Sequence, residues 1–362
     1  MPVLSIDDRE DPVIARRLTT GLALGALASM AMAGQASAAT KTVVVGADKG
    51  TAVFNDFFRH KVAIHRGDSV SFEIRGFHNI YFPKKGGKTR GLIVPDRSGT
   101  KYSGVNDAAG APLWFNGAVT RFIVDPIGAF PSGGTTYNGS RALGSGLPLG
   151  DGPGKPFEVK FTKKGSFTYY CTVHPGMKGQ VSVLPKSAKV PTAKQDRKAA
   201  EKQLNRDMKL AKQLDRKAVA PLTIRGGSDK APVNHLKFYP STLQAKAGDT
   251  ITFRVNPKGQ EPHTLSIGPK DFLTQVVQNQ IAPDPSTTPP NLVFDGRVLL
   301  PSDPPNAPLT FDGTSHGGFF STGVVGAGTP AGGSVKFTIT KPGSYTYFCL
   351  IHPEMTGTIM VQ

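Results

Sequence analysis

Cysteine is nearly missing from this chain, with two residues in 362. That excludes a disulfide framework as the source of stability, and also any zinc site built from four thiolates. Tryptophan occurs once, and acidic residues are the minority, 26 against 43 lysines and arginines, giving a formal net charge of +17. Such a balance favours acidic partners or anionic cell-surface polymers over basic ones. It does not by itself imply nucleic acid, and no stretch interleaves basic and aromatic residues as such binding requires, so nucleic acid is not an expected partner. Long hydrophobic runs are missing too. The mild apolar run from Leu22 to Ala33 is too short to span a bilayer and is rich in Ala and Gly.

That run has a different reading. Arg16-Arg17 precede it and the small-residue site Ala36-Ser37-Ala38 follows, so residues 1–39 read as an export signal peptide. The mature chain is then expected to be soluble and periplasmic or extracellular. The paired arginines hint at the twin-arginine route, although Asp7, Asp8, Glu10 and Asp11 ahead of them are atypical, which leaves the export route open. Without these 39 residues, 40 basic side chains face 22 acidic ones.

What the chain has in plenty is glycine, 42 residues, and proline, 30, alongside 8% aromatics. This composition predicts an all-β protein of strands joined by many turns. Period-two alternation supports it: Val70, Phe72 and Ile74 follow the Gly67-Asp68 turn, and Ile251, Phe253 and Val255 follow Gly248-Asp249. Phe157, Val159 and Phe161 recur as Val335, Phe337 and Ile339 at an offset of 178. The repeat is therefore a whole domain. The chain divides into 1–39, a first β domain over 40–186, a charged helical linker over 187–219 and a second β domain over 220–362. In the linker Leu204, Met208, Ala211 and Ala218 keep helical spacing and Pro221 ends the segment. A solvated spacer is its favoured reading, ahead of a dedicated binding helix. Residues 84–155 and 270–332 are Gly/Pro-rich insertions with no predictable course.

Both cysteines fall at one place in the repeat. Cys171-Thr172-Val173-His174-Pro175-Gly176-Met177 and Cys349-Leu350-Ile351-His352-Pro353-Glu354-Met355 are each Cys-x2-His-x2-Met. Thiolate, imidazole and thioether in one tight loop are a donor set that suits copper, and methionine disfavours zinc. A further histidine follows the alternating strand in each half, His78 and His263. The expected metal ligands are His78, Cys171, His174 and Met177 in one set, and His263, Cys349, His352 and Met355 in the other. A lone histidine or methionine is ordinarily structural; eight in two matched sets are not. A disulfide between Cys171 and Cys349 leaves the register of the histidines and methionines unexplained. His60, His65, His235 and His316 lack ligand spacing and read as surface or turn residues.

With these motifs in view, the chain resembles a tandem of cupredoxins, the small blue copper proteins that include plastocyanin, amicyanin and pseudoazurin. The resemblance covers about two thirds of the mature chain. It rests on the Gly-Asp strand starts, the His78-Asn79-Ile80 and Pro262-His263-Thr264 segments, and the aromatic strands entering Cys-x2-His-x2-Met, with Gly179 and Gly357 closing. It implies two Greek-key β-sandwiches, each with a type 1 copper, and an electron carrier serving redox protein partners. It further implies that His174 and His352 reach the surface as electron ports. The chain departs from the family in the long span between first histidine and cysteine, 93 residues in one half and 86 in the other.

Two other classes compete. Copper oxidases and nitrite reductases share the fold, but place a histidine beside the cysteine, and the oxidases add His-x-His pairs. Here Tyr170 and Thr172 flank one cysteine, Phe348 and Leu350 the other, and no His-x-His occurs. The chain is thus not expected to be an enzyme. A copper store would favour methionine clusters, and only seven methionines are present.

Overall fold

A computed structural model describes residues 38–89, 91–149, 154–215 and 218–362. The export-signal expectation for residues 1–39 lies almost wholly outside them. Among the described residues no helix is long and apolar enough to cross a membrane.

The alternating segments form the strands their period predicts. In the first half Ser69–Ile74 lies between Thr40–Lys49, which it pairs in parallel, and Phe157–Phe161, which it pairs antiparallel. Val43, Val70, Phe72, Val159 and Phe161 all point inward and are fully buried. A facing sheet contains Lys61–His65, Lys178–Leu184 and Gly165–Tyr170. Its Val181, Ile64 and Tyr169 complete the same core. The second half repeats this with two five-stranded sheets around Ile251, Phe253, Phe337, Ile339, Tyr347 and Ile359. Each such side chain contributes roughly 1.5–3 kcal/mol on burial, so the period-two pattern decides which face is inside. The sandwich expectation holds in both halves. The closing glycines have a steric reason: a Cβ on Gly179 falls 2.4 Å from the Tyr169 hydroxyl, and one on Gly357 falls 2.3 Å from that of Tyr347.

The halves are docked, and three features dock them. Strand Val233–His235 of the second half leaves its own sandwich and pairs antiparallel with Ala52–Phe58 of the first. The insertions do not stand as separate loops above each site; they build a shared four-stranded sheet in which Phe122–Val124 meets Leu292–Phe294 through Val293 and Ile123. Each of those two strands runs into a short Asp-capped helix, Pro126–Ala129 behind Asp125 and Gly296–Leu299 behind Asp295. Arg121 fastens this sheet, its Nε 2.7 Å from Asp96 and its other end 2.5 Å from Asp284 of the second half.

The third feature corrects the spacer reading of the linker. Helix Ala193–Leu214 starts in a capping box between Thr192 and Gln195. Leu204, Met208, Ala211 and Leu214 lie against Ala52, Phe54, Phe58 and Val233, so the helix covers the junction of the two halves. Ala218 lies beyond its end. Asp196 pairs with Lys41 at 2.7 Å and also with Arg59, and Gln203 donates to Asp56 at 2.8 Å. The opposite face stays exposed and charged, as Lys198, Lys202, Arg206 and Lys209 require. His235 is a second correction: it is a buried strand residue, held by Ala211 O at 2.8 Å and the Thr51 hydroxyl at 3.2 Å. Its short strand carried too little alternation for the sequence to show it.

Candidate metal centres

Each Cys-x2-His-x2-Met segment forms a loop between the last two strands of its sandwich. The loop closes on its own backbone. Cys171 N donates to Met177 O at 3.1 Å and Met177 N to His174 O at 3.1 Å; the second loop has Cys349 N to Met355 O at 3.1 Å and Met355 N to His352 O at 2.9 Å. The short spacing thus folds imidazole and thiolate to the same side. The first histidine comes from the other sheet direction. His78 lies beside Gly46, whose φ of +74° and missing Cβ admit the ring: a Cβ there falls 2.4 Å from His78 Nε2. Gly227 does the same for His263, at 2.7 Å.

The structure brings together His78, Cys171 and His174 in one group and His263, Cys349 and His352 in the other, with ligand atoms in each within 4.8 Å of one another. In the first, Cys171 Sγ is 3.7 Å from His78 Nδ1 and 3.6 Å from His174 Nδ1. In the second, Cys349 Sγ is 3.9 Å from His263 Nδ1 and 3.6 Å from His352 Nδ1. Three donors in a plane around one metal, at bond lengths near 2.0–2.3 Å, require sulfur–nitrogen separations of roughly 3.6–3.8 Å. The first donor set lies in this range and the second lies near it, with His263 Nδ1 at 3.9 Å from the sulfur and the two Nδ1 atoms 3.1 Å apart, so each group is compact enough for one metal. Met177 and Met355 are buried in the same cores as the cysteines of their loops. Both cysteines are free.

The electrostatics suit a bound cation. Burial alone raises the Cys171 thiol, but contacts from His174 and His78 outweigh it and hold it well below the usual thiol range. Cys349 is lowered in the same way by His263 and His352. A ready thiolate is the ligand form. Burial and the neighbouring His174 push His78 down, toward the neutral imidazole that ligates.

Two supporting residues escaped the sequence reading. Asn79, directly after His78, accepts from Thr172 N and donates to the Thr172 hydroxyl, each at 2.8 Å. Thr264, directly after His263, accepts from Leu350 N at 2.8 Å, and its own N–H points at Cys349 Sγ at 3.4 Å. Each pins the residue following the cysteine to the segment carrying the first histidine. Their place next to that histidine was the available signal.

The implied surface ports are corrected. His174 is 6% exposed and the His352 side chain 14%. Val173 and Ile351, one residue before each, pack into an apolar cluster drawn from both insertions, including Leu92, Val124, Leu299 and Val324. The apolar face of each loop is thus covered by a cluster to which both halves contribute. Between the two histidines lies Glu261, its Oε1 3.2 Å from His174 Nε2 and its Oε2 3.3 Å from His352 Nε2. Although burial opposes it, the His174 and His352 rings hold the Glu261 carboxyl well below its usual range. Against the same burial, Glu261 and the adjacent thiolates raise His174 and His352 to about 10.

The family model for copper-binding proteins of the plastocyanin/azurin family matches residues 147–184 and 227–362, which include both Cys-x2-His-x2-Met loops. No curated protein matches the chain by sequence. Among solved structures, a Cu(I) form of an amicyanin variant is 15% identical, covering 41% of this chain and 89% of that one, with a TM-score of 0.22. Amicyanin from Paracoccus versutus matches at 15% identity over 41% of this chain and 88% of that one, TM-score 0.22. A fern plastocyanin variant matches at 18% over 39% and 99%, TM-score 0.19.

Proposed function

We propose that the chain is a member of the plastocyanin/azurin family of copper-binding proteins, whose model matches residues 147–184 and 227–362, and that it is an exported electron carrier holding two type 1 copper centres. The observation that carries the reading is the compact grouping of thiolate and two imidazoles, present once in each sandwich. Copper bound to such a set cycles between Cu(II) and Cu(I) with little rearrangement. The protein's part is to keep that set rigid. Asn79 and Thr264 clamp the two loops, the loop backbone bonds close them, and the glycines beside His78 and His263 let those rings seat. Met177 and Met355, buried in the same cores, would supply the thioether donors that favour copper over zinc.

We read the chain as a carrier and not as an oxidase or nitrite reductase because Tyr170, Thr172, Phe348 and Leu350 flank the cysteines, so that neither cysteine has a histidine as its neighbour in sequence to pass electrons to a catalytic copper. Its partners are redox proteins with acidic surfaces, and the exposed Lys198, Lys202, Arg206 and Lys209 offer them a basic face, one equally suited to anionic cell-surface polymers. Residues 1–39 direct the export.

The test is reconstitution of the mature chain with Cu(II), followed by copper counting and the visible spectrum of wild type, Cys171→Ser and Cys349→Ser. Two coppers per chain and an intense thiolate-to-copper band, reduced to about half in either variant, are expected. A colourless protein, or one preferring zinc, contradicts the reading; turnover of oxygen or nitrite points to the enzyme class instead.

A further inference from the structure

The carboxylate between the two sites has no role in a pair of independent carriers. Glu261 is 7% exposed, and a buried carboxylate is costly unless fully partnered. Here its partners are the outward nitrogens of one metal-site histidine from each half, together with Asn55 Nδ2, which donates to Oε1 at 2.5 Å. Those two histidines face their thiolates through Nδ1. With Nδ1 turned to the metal side, Nε2–H donates to Glu261 on both rings, and one side chain fixes the orientation of a ligand in each set. The bridge is built from one half alone. Glu261 stands two residues before His263, while the residue two before His78 is Gly76, with no carboxylate to offer. Gln260 braces the position by donating to Pro175 O at 3.2 Å, on the opposite metal loop.

We infer that Glu261 couples the two centres into one unit, passing an electron between them along His174, the carboxylate and His352. This rests on the copper reading above. Electron tunnelling falls off exponentially with unbridged distance, and the two rings are separated by two hydrogen-bond contacts and a single carboxylate. The faces of His174 and His352 that a lone carrier would present to a partner protein are instead turned to each other. With copper in both sets the step would be a one-electron exchange in which one centre is oxidised as the other is reduced, with no external reagent and no proton lost from the bridge. A chain able to accept two electrons in this way stores them in a common pool, whichever site a partner addresses.

The experiment uses the copper-loaded mature chain and Glu261→Gln, which keeps the shape but removes one acceptor. A sub-stoichiometric pulse of a one-electron reductant is followed in the thiolate-to-copper band. Wild type should show a re-equilibration phase whose rate does not change with protein concentration, slowed at least tenfold in the variant when both are compared at two coppers per chain, as copper counting on the same samples establishes. Small-angle scattering of the metal-free variant should match wild type, showing that the halves stay docked. An unchanged rate in Glu261→Gln, or a wild-type phase that scales with protein concentration, overturns the inference. Loss of docking in Glu261→Gln moves the comparison to Asn55→Ala, which frees the carboxylate without removing it and should slow the phase; an unchanged rate there overturns it likewise. A chain that never takes up two coppers refutes the earlier reading instead.

Discussion

Arg121 is the strongest single test of the docked arrangement, because it joins the insertions of the two halves. Its side chain is 15% exposed, and the carboxylates it meets, Asp96 and Asp284, are 4% and 8% exposed. At an effective dielectric of about 20, a pair of unit charges near 4 Å gains about 4 kcal/mol before desolvation is charged against it. Truncating one partner of a buried pair costs about 3–5 kcal/mol, because the other charge is left unpaired. Asp96 keeps the Ser98 N–H and hydroxyl, at 2.9 and 2.7 Å, and Asp284 keeps those of Ser286, at 2.9 and 2.6 Å. The low end, about 3 kcal/mol, therefore applies to Arg121→Met. The assay is urea unfolding of the metal-free chain followed by tryptophan fluorescence. The only tryptophan is well placed, since Trp114 Nε1 donates to Pro301 O of the other half at 2.9 Å. A double-mutant cycle with Asp284→Asn then isolates the cross-half pair. A loss below about 1 kcal/mol, the value of a solvent-exposed pair, refutes the claim that the insertions lock the halves together.

Two further outcomes follow from named contacts. Gly357→Ala, two residues after Met355, places a methyl 2.3 Å from the Tyr347 hydroxyl and should cost about 1–3 kcal/mol by overpacking while shifting the thiolate-to-copper band; an unchanged melting temperature and spectrum contradict the contact. Acidification should release the Arg121 clamp. Ser286 and then Arg121 lower the Asp284 carboxyl to about 2, and Asp96 is lowered by Ser98 and Arg121 against its burial. Both folded values lie below the unfolded value of about 4, so their stabilisation is full above that pH and is lost as pH falls toward 2. The stability gap between wild type and Arg121→Met should shrink over that window; a gap that persists at pH 2 contradicts the assignment.

The sandwiches and the meeting of each cysteine with two histidines were legible because they rest on local patterns. Period two placed Val70, Phe72, Ile251 and Phe253 inside, and the spacing of Cys171, His174 and Met177 needs only one loop. The relation between the halves was not legible. The contact of Phe122–Val124 with Leu292–Phe294 joins segments about 170 residues apart, through strands of three residues that carry no periodic signal. Glu261 looked like one more charged residue before a proline, since its partners come from positions 55, 174 and 352. The linker was misjudged because lysines and arginines dominate its composition, while the apolar residues that dock it are few, Ala200, Leu204, Met208, Leu210, Ala211 and Leu214. Family resemblance added a further error: a lone domain exposes its loop histidine, and here the two halves together bury it.

The most direct measurement is anomalous diffraction at the copper edge from crystals of the copper-loaded chain. Two peaks are predicted, one among His78, Cys171 and His174 and one among His263, Cys349 and His352, with Glu261 held between the outer faces of His174 and His352. A single peak at the carboxylate, or a triad that stays empty in saturating copper, contradicts the account.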